Sequence, residues 1–176
     1  MSGSRYSLAA LLAGSSLVLN ACGVLSYATQ APAPVVSRSG GAATDSASHI
    51  SDKASDVVLF ALGLIETGYR FGGKNPEAGL DCSGMVSYVF QKSADMRLAG
   101  SAADLARQGK PVPAAQLRPG DLVFFNIGHK SYSHVGIYIG DDRFVHAPNS
   151  LGKVRTESLK NSWFAARFEE GRTYFD

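Results

Sequence analysis

One cysteine and two histidines carry the chemistry this sequence can do. Cys82 follows Asp81 where a Gly/Pro-rich loop (Gly72, Gly73, Pro76, Gly79) gives way to the apolar pattern Met85, Val86, Val89 and Phe90. That spacing predicts an amphipathic helix with one buried face. Asp81 is its expected N-cap, because a short carboxylate can accept from the unpaired N–H groups of the first turn. Cys82 then sits at the helix start, where those N–H groups and the positive end of the dipole favour an anion. A thiol there is expected to titrate low and to be partly thiolate at neutral pH. A free cysteine is also a common small core residue, so the position alone does not make a nucleophile.

The histidines complete the case. Ser133 to Gly140 reads as a strand, Asp141-Asp142 as a hairpin turn and Arg143 to Ala147 as the partner strand, which Pro148 ends. Alternation places His134, Gly136 and Tyr138 on one face, and Phe144 and His146 on one face of the neighbour. A tight hairpin therefore brings His134 and His146 onto adjacent strands and the same face. If that face packs against the Cys82 helix, a thiol, a base and a group that orients the base come into line, as nucleophilic thiol catalysis requires. A zinc site built from Cys82, His129, His134 and His146 would use the same residue types. It lacks a local spacing such as C-x-x-C or H-x-x-x-H. No metal or other cofactor is called for.

The elements that must position these residues follow in order. Ser51 or Ser55 is the expected cap of a helix through Val57 to Ile65, stopped by Gly68 and apolar over most of its circumference. Ser101 to Gln108 reads as a short helix ended by Gly109 and Pro111. Pro119-Gly120 makes a turn into a strand over Asp121 to Phe125, and Lys153 to Thr156 and Trp163 to Arg167 read as further strands. Helices first and antiparallel strands afterwards predict an α+β domain, N-terminal helices packed on an antiparallel sheet, over residues 52–176. At roughly 125 residues it is long enough for one core.

The chain before it has another character. Residues 1–21 carry one cation, Arg5, and an apolar run from Leu8 to Leu19 that is too short to span a membrane but suits a signal peptide. It ends in Leu19-Asn20-Ala21-Cys22-Gly23, which resembles the bacterial lipobox, whose cysteine is lipidated. Lipid on Cys22 would leave Cys82 the lone thiol of an exported chain. Residues 22–51, rich in Ala, Ser, Thr, Pro and Gly, are expected to form a flexible tether. A net charge of +2 does not point to nucleic acid.

Five ordered segments now stand together: Tyr69-Arg70-Phe71-Gly72-Gly73, Asp81-Cys82-Ser83-Gly84, Leu117 to Phe125, Ser133 to Gly140 and Phe144-Val145-His146-Ala147. They resemble the NlpC/P60 cysteine peptidases over essentially all of residues 52–176. The resemblance implies a papain-like α+β fold and hydrolysis of amide bonds in peptidoglycan stem peptides. It favours the γ-D-Glu–diaminopimelate bond, with the diaminopimelate–D-Ala cross-link as the alternative. It implies Cys82 as nucleophile, His134 as general base and acid, and His146 as the orienting third residue. Tyr69 then belongs near the oxyanion site, and Asp81 and Ser83 flank the nucleophile and help bind substrate. An oxyanion could be held by the Cys82 backbone N–H and the Tyr69 hydroxyl, and the helix start favours an anionic substrate.

Other classes were weighed against it. A catalytically silent envelope lipoprotein would have no reason to keep all three residue types. Permuted thiol acyltransferases place the histidine before the cysteine, whereas here only His49 lies upstream. General cleavage of proteins stays open. The expected protein is a monomer, lipid-anchored through Cys22 at the outer membrane and facing the periplasm.

Overall fold

The computed structural model describes residues 41–148 and 152–175, with side chains from residue 52 onward; Cys22 and the expected signal segment lie outside the described residues. Four α-helices are α1 (Gly41–Gly63), α2 (Cys82–Ser93), α3 (Ala102–Gln108) and α4 (Ser162–Ala165). The strands are β1 (Lys74–Asn75), β2 (Gly79–Leu80), β3 (Lys110–Val112), β4 (Leu122–Phe125), β5 (His134–Gly140), β6 (Arg143–His146), β7 (Arg155–Ser158) and β8 (Phe168–Thr173). β1 and β2 form a small antiparallel ribbon, and the other six make one sheet in the order β3-β8-β4-β5-β6-β7, every neighbour antiparallel.

Helix α2 forms as its sequence predicts. Asp81 caps it, its carboxylate accepting from the Gly84 N–H, and Gly84, Met85, Val86, Val89 and Phe90 are buried. Helix α3 is closed by a reciprocal capping box between Ser101 and Asp104. The Asp141-Asp142 turn has both residues at positive φ, the conformation that a two-residue hairpin with the right-handed twist demands.

Helix α1 departs from expectation at both ends. It starts at Gly41, inside the segment read as a tether, because residues 42–62 contain no Gly or Pro and include several alanines, the best helix formers. It ends at Gly63, ahead of the expected stop at Gly68. Nor is it buried all round: Val57, Ala61 and Leu64 face the core, while Leu59 is 67% exposed.

The C-terminal third was misread in part. Trp163 to Arg167, expected as a strand, begins as α4, because the Asn161 side chain accepts from the Trp163 N–H and starts a turn. The real strand is β8, which pairs with both β3 and β4. Its segment Phe168-Glu169-Glu170-Gly171-Arg172-Thr173 is too polar to read as a central strand. Glu170 and Arg172 point the same way and pair with each other, which makes two charges tolerable there. β7 lies two residues later than predicted, with Lys153 forming only an isolated bridge.

The sheet has two different faces. Leu122, Phe124, Val135, Ile137 and Val145 pack with α1 and α2 in the larger core. Val123, Phe125, Tyr138, Phe144 and Phe164 make a smaller aromatic layer on the other side. His134 and His146 belong to that second side, ringed by Phe125, Phe144 and Phe164. The expectation that the histidine face packs against the Cys82 helix is therefore corrected. Alternation put the aliphatic residues Val135 and Ile137 opposite the histidines, and the helices cover the aliphatic face because it has the apolar area to bury.

Candidate active site

With the helices on the far face, Cys82 reaches His134 at the end of a strand. His134 is the first residue of β5, and α2 points its N-terminus at that strand end. The Val135 N–H lies against the Cys82 sulfur, as do the backbone N–H groups of Ser83 and Cys82 itself. One cleft of about 750 Å³ is lined by Cys82, His134, Tyr69, Asp81 and Ser83 together. His146 does not line it. It stands behind His134, 1% exposed, with its Nδ1 2.8 Å from His134 Nε2. That contact occupies one ring nitrogen of His134 and leaves Nδ1 to face the cleft.

Asp81 binds this corner together. One carboxylate oxygen accepts from the Gly84 N–H at 2.7 Å and from the Ser83 hydroxyl at 3.2 Å. The other accepts from the Gly72 N–H at 2.9 Å. Gly72 has φ +71°, a turn glycine between Phe71 and Gly73. The same carboxylate thus starts the Cys82 helix and pins the turn that follows Tyr69. Gly84 permits the close approach: a Cβ there would stand 1.9 Å from the Gly73 carbonyl oxygen.

Electrostatics overturn one expectation. The Cys82 thiol was expected to titrate low; burial first, and then the Asp81 carboxylate, push it up to about 11. The backbone N–H groups around the sulfur pull the other way and do not compensate. Burial also pushes His134 down to about 4. Burial first, then the neighbouring His134 and the Arg155 guanidinium, hold His146 well below the usual histidine range. The Tyr69 phenol is raised by burial and then by Cys82 and Asp81, which places its hydroxyl in their field. Burial thus favours a neutral thiol beside a neutral imidazole.

Three further residues shape the rim. Lys74 and Lys130 line the cleft, and so does Phe71, which is 88% exposed. Phe71 lies within a recognised motif, but nothing in the local pattern of Lys130 marks it, since a loop brings it there. That loop is held by Ser133, whose hydroxyl accepts from the Ile127 N–H at 2.7 Å and donates to the Ile127 carbonyl at 2.8 Å. His129, the remaining member of the zinc alternative, is exposed on the same loop and does not line the cleft. Among the described residues no cluster of three or more His, Cys, Asp or Glu is placed to hold a metal ion.

Helices packed on one face of an antiparallel sheet, with a cysteine at a helix N-terminus meeting a strand histidine, define a papain-like α+β fold. Residues 66–173 match the NlpC/P60 family, and the chain belongs to that family. It is 39% identical over 104 residues to "Murein DD-endopeptidase MepS/Murein LD-carboxypeptidase" of Escherichia coli (strain K12), covering 59% of this chain and 54% of that protein. It is 34% identical over 122 residues to "Gamma-DL-glutamyl hydrolase" of Bacillus subtilis (strain 168), covering 67% of this chain and 29% of that one. The chain thus spans about half or less of the length of these relatives. Among solved structures, the NlpC/p60 domain of the peptidoglycan hydrolase SagA superposes with a TM-score of 0.61 at 30% identity, covering 69% of this chain and 98% of that domain.

A neutral, buried thiol has a measurable consequence. Alkylation of Cys82 by iodoacetamide at pH 8 is expected to run about tenfold or more slower than that of an unperturbed thiol, because only the thiolate reacts. It should still be accelerating above pH 10. Asp81→Asn removes the charge that raises the thiol and should quicken alkylation several-fold at any pH below 10. A wild-type rate that levels off by pH 8 would show a thiolate already formed.

Proposed function

We propose that the protein is a cysteine peptidase that hydrolyses amide bonds in peptidoglycan stem peptides. The observation that carries this reading is the convergence of Cys82, His134 and Tyr69 on one cleft, with His146 bonded behind His134. The neutral resting pair makes His134 a general base. As Cys82 Sγ attacks the scissile carbonyl, its proton passes to His134 Nδ1. The developing oxyanion is met by the Cys82 backbone N–H and the Tyr69 hydroxyl. His134 then protonates the leaving amine, leaving an acyl-thioester on Cys82. A water that gives its proton to His134 attacks the thioester, and the acyl fragment leaves as a carboxylic acid while the thiol is restored. Burial of His134 serves this scheme, since its basic form persists down to about pH 4.

Asp81 has a different part from the one the family resemblance implied. Both its oxygens are engaged by protein donors, so it builds the site as well as lining the cleft. Recognition falls to Lys74 and Lys130, whose ammonium groups suit carboxylates. The γ-D-Glu–diaminopimelate bond has a free carboxylate on each flanking residue, whereas at the diaminopimelate–D-Ala cross-link the alanine has none. Two cations in one cleft therefore favour the γ-D-Glu–diaminopimelate bond, and the B. subtilis relative is named for hydrolysis at a γ-glutamyl group. The E. coli relative is named for the DD-endopeptidase reaction, which keeps cross-link cleavage as the second reading.

Anchoring is proposed as well. The Leu19-Asn20-Ala21-Cys22 segment supports lipidation of Cys22, and Gly23 in place of Asp favours the outer membrane, periplasmic side. Among the described residues no helix is long and apolar enough to cross a membrane. Several acyl chains hold a protein stably where one does so marginally.

Digestion of isolated sacculi tests the activity and the bond together. Release of L-Ala-D-Glu-terminated muropeptides is expected; conversion of cross-linked dimers to intact tetrapeptide monomers would make the cross-link the target. Cys82→Ala and His134→Ala should abolish release, and His146→Gln should retain more activity than His146→Ala. Full activity of Cys82→Ala would end the thiol mechanism. For the anchor, metabolic labelling with a fatty acid should mark the wild type and spare Cys22→Ser, and equal labelling of both would refute it.

A further inference from the structure

Behind the two histidines lies a second pocket, of about 290 Å³, on the aromatic side of the sheet. It meets a hydrogen-bonding deficit. For His134 Nδ1 to take the Cys82 proton, the ring's own proton must sit on Nε2 and be donated to His146 Nδ1 across the 2.8 Å contact. A neutral His146 accepting at Nδ1 carries its proton on Nε2. That Nε2 is the one buried side-chain polar atom without a partner among the described residues. A buried N–H left unpaired is costly, and His146 is 1% exposed, so water at the surface cannot serve it. The pocket beside His146 is where an acceptor can come from.

Few of its walls can supply one. Trp163 and Arg155 carry only donors, and the Asn161 side-chain oxygen already accepts from the Trp163 backbone N–H at 2.9 Å. Glu157 remains. On β7, Arg155 pairs with His146 and Glu157 pairs with Phe144. These four residues therefore share a face, and Glu157 sits diagonally from His146, within reach of a long side chain. The Arg155 Nε donates to one Glu157 oxygen at 3.0 Å, and the other oxygen takes no bond from the described residues. We propose that Glu157 is a positioning residue for the peptidase reaction: its free carboxylate oxygen accepts the His146 Nε2–H, directly or through one water in the pocket. His146 is then hydrogen-bonded at both ring nitrogens, to His134 and to Glu157.

The carboxylate also offsets a charge. Arg155 by itself would oppose the positive charge that His134 acquires when it takes the thiol proton. Glu157, paired to Arg155, cancels that effect and stabilises the imidazolium through His146. The titratable groups facing His146 are thus His134, Arg155 and Glu157. Arg155 holds the carboxylate in place, and the carboxylate holds the ring.

The inference rests on the thiol-peptidase reading, so full-length wild type and Cys82→Ala are assayed beside the variants on the same sacculi. An inactive wild type would fail that reading itself. With the wild type active, Glu157→Leu is expected to lose about tenfold in kcat with KM within twofold, and Glu157→Gln to lose less. The acid limb of kcat/KM should move to lower pH in Glu157→Leu, because losing a negative charge disfavours the His134 imidazolium. Wild-type kcat in Glu157→Leu, a loss carried by KM, or an unmoved acid limb overturns the proposal. Should Glu157→Leu not fold, the His146 Nε2–H resonance of Glu157→Gln decides: a shifted signal supports the contact and an unmoved one overturns it.

Discussion

The Asp81 carboxylate is the interaction on which the site depends. It joins the first turn of the Cys82 helix to the Gly72 turn. A cap of this kind contributes about 1 kcal/mol to the helix, a small gain in stability. Its larger effect is geometric: with the backbone bonds from the Arg70 N–H to Leu80 and from the Asp81 N–H to Gly73, it ties the segment that carries Tyr69 to the start of the Cys82 helix. The same charge raises the thiol. In the proposed reaction a less acidic thiol is thus held in a fixed place, and the base must do correspondingly more.

How the base does so follows from the two-faced sheet. The helices cover the aliphatic face, which leaves the histidines on the aromatic face among Phe125, Phe144 and Phe164. These rings pack against the imidazoles, and burial favours the neutral form of both. A neutral His134 cannot hold a preformed thiolate as an ion pair. It can take a proton at the moment of attack, provided its tautomer is set beforehand, and the 2.8 Å contact with His146 sets it.

Much of this was legible in the sequence. The cap, the Cys82 helix and the Asp141-Asp142 hairpin each rest on local rules: a carboxylate before an apolar period, and two residues that tolerate positive φ. His134 and His146 were correctly placed on adjacent strands because side-chain alternation is strict. The side of the sheet that the helices cover was not legible from the histidine strands alone, since it depends on which face buries more apolar area once all six strands are assembled. β8 was hidden because Glu169, Glu170 and Arg172 read as surface, and Asn161 turned the expected strand over Trp163 to Arg167 into a helix start. The thiol was misjudged for a related reason. Helix position is visible in sequence, while burial and the inward charge of Asp81 are tertiary properties and outweigh it. Lys74, Lys130 and Glu157 likewise acquire their places only through folding.

The central claim is that the resting site holds a neutral imidazole whose cleft-facing nitrogen is free to accept. Nitrogen-15 NMR of histidine-labelled protein at pH 7 measures this directly. The account predicts a neutral His134 with its proton on Nε2 and an unprotonated Nδ1. A His134 protonated on both nitrogens at that pH would mean a thiolate–imidazolium pair at rest, and would contradict it.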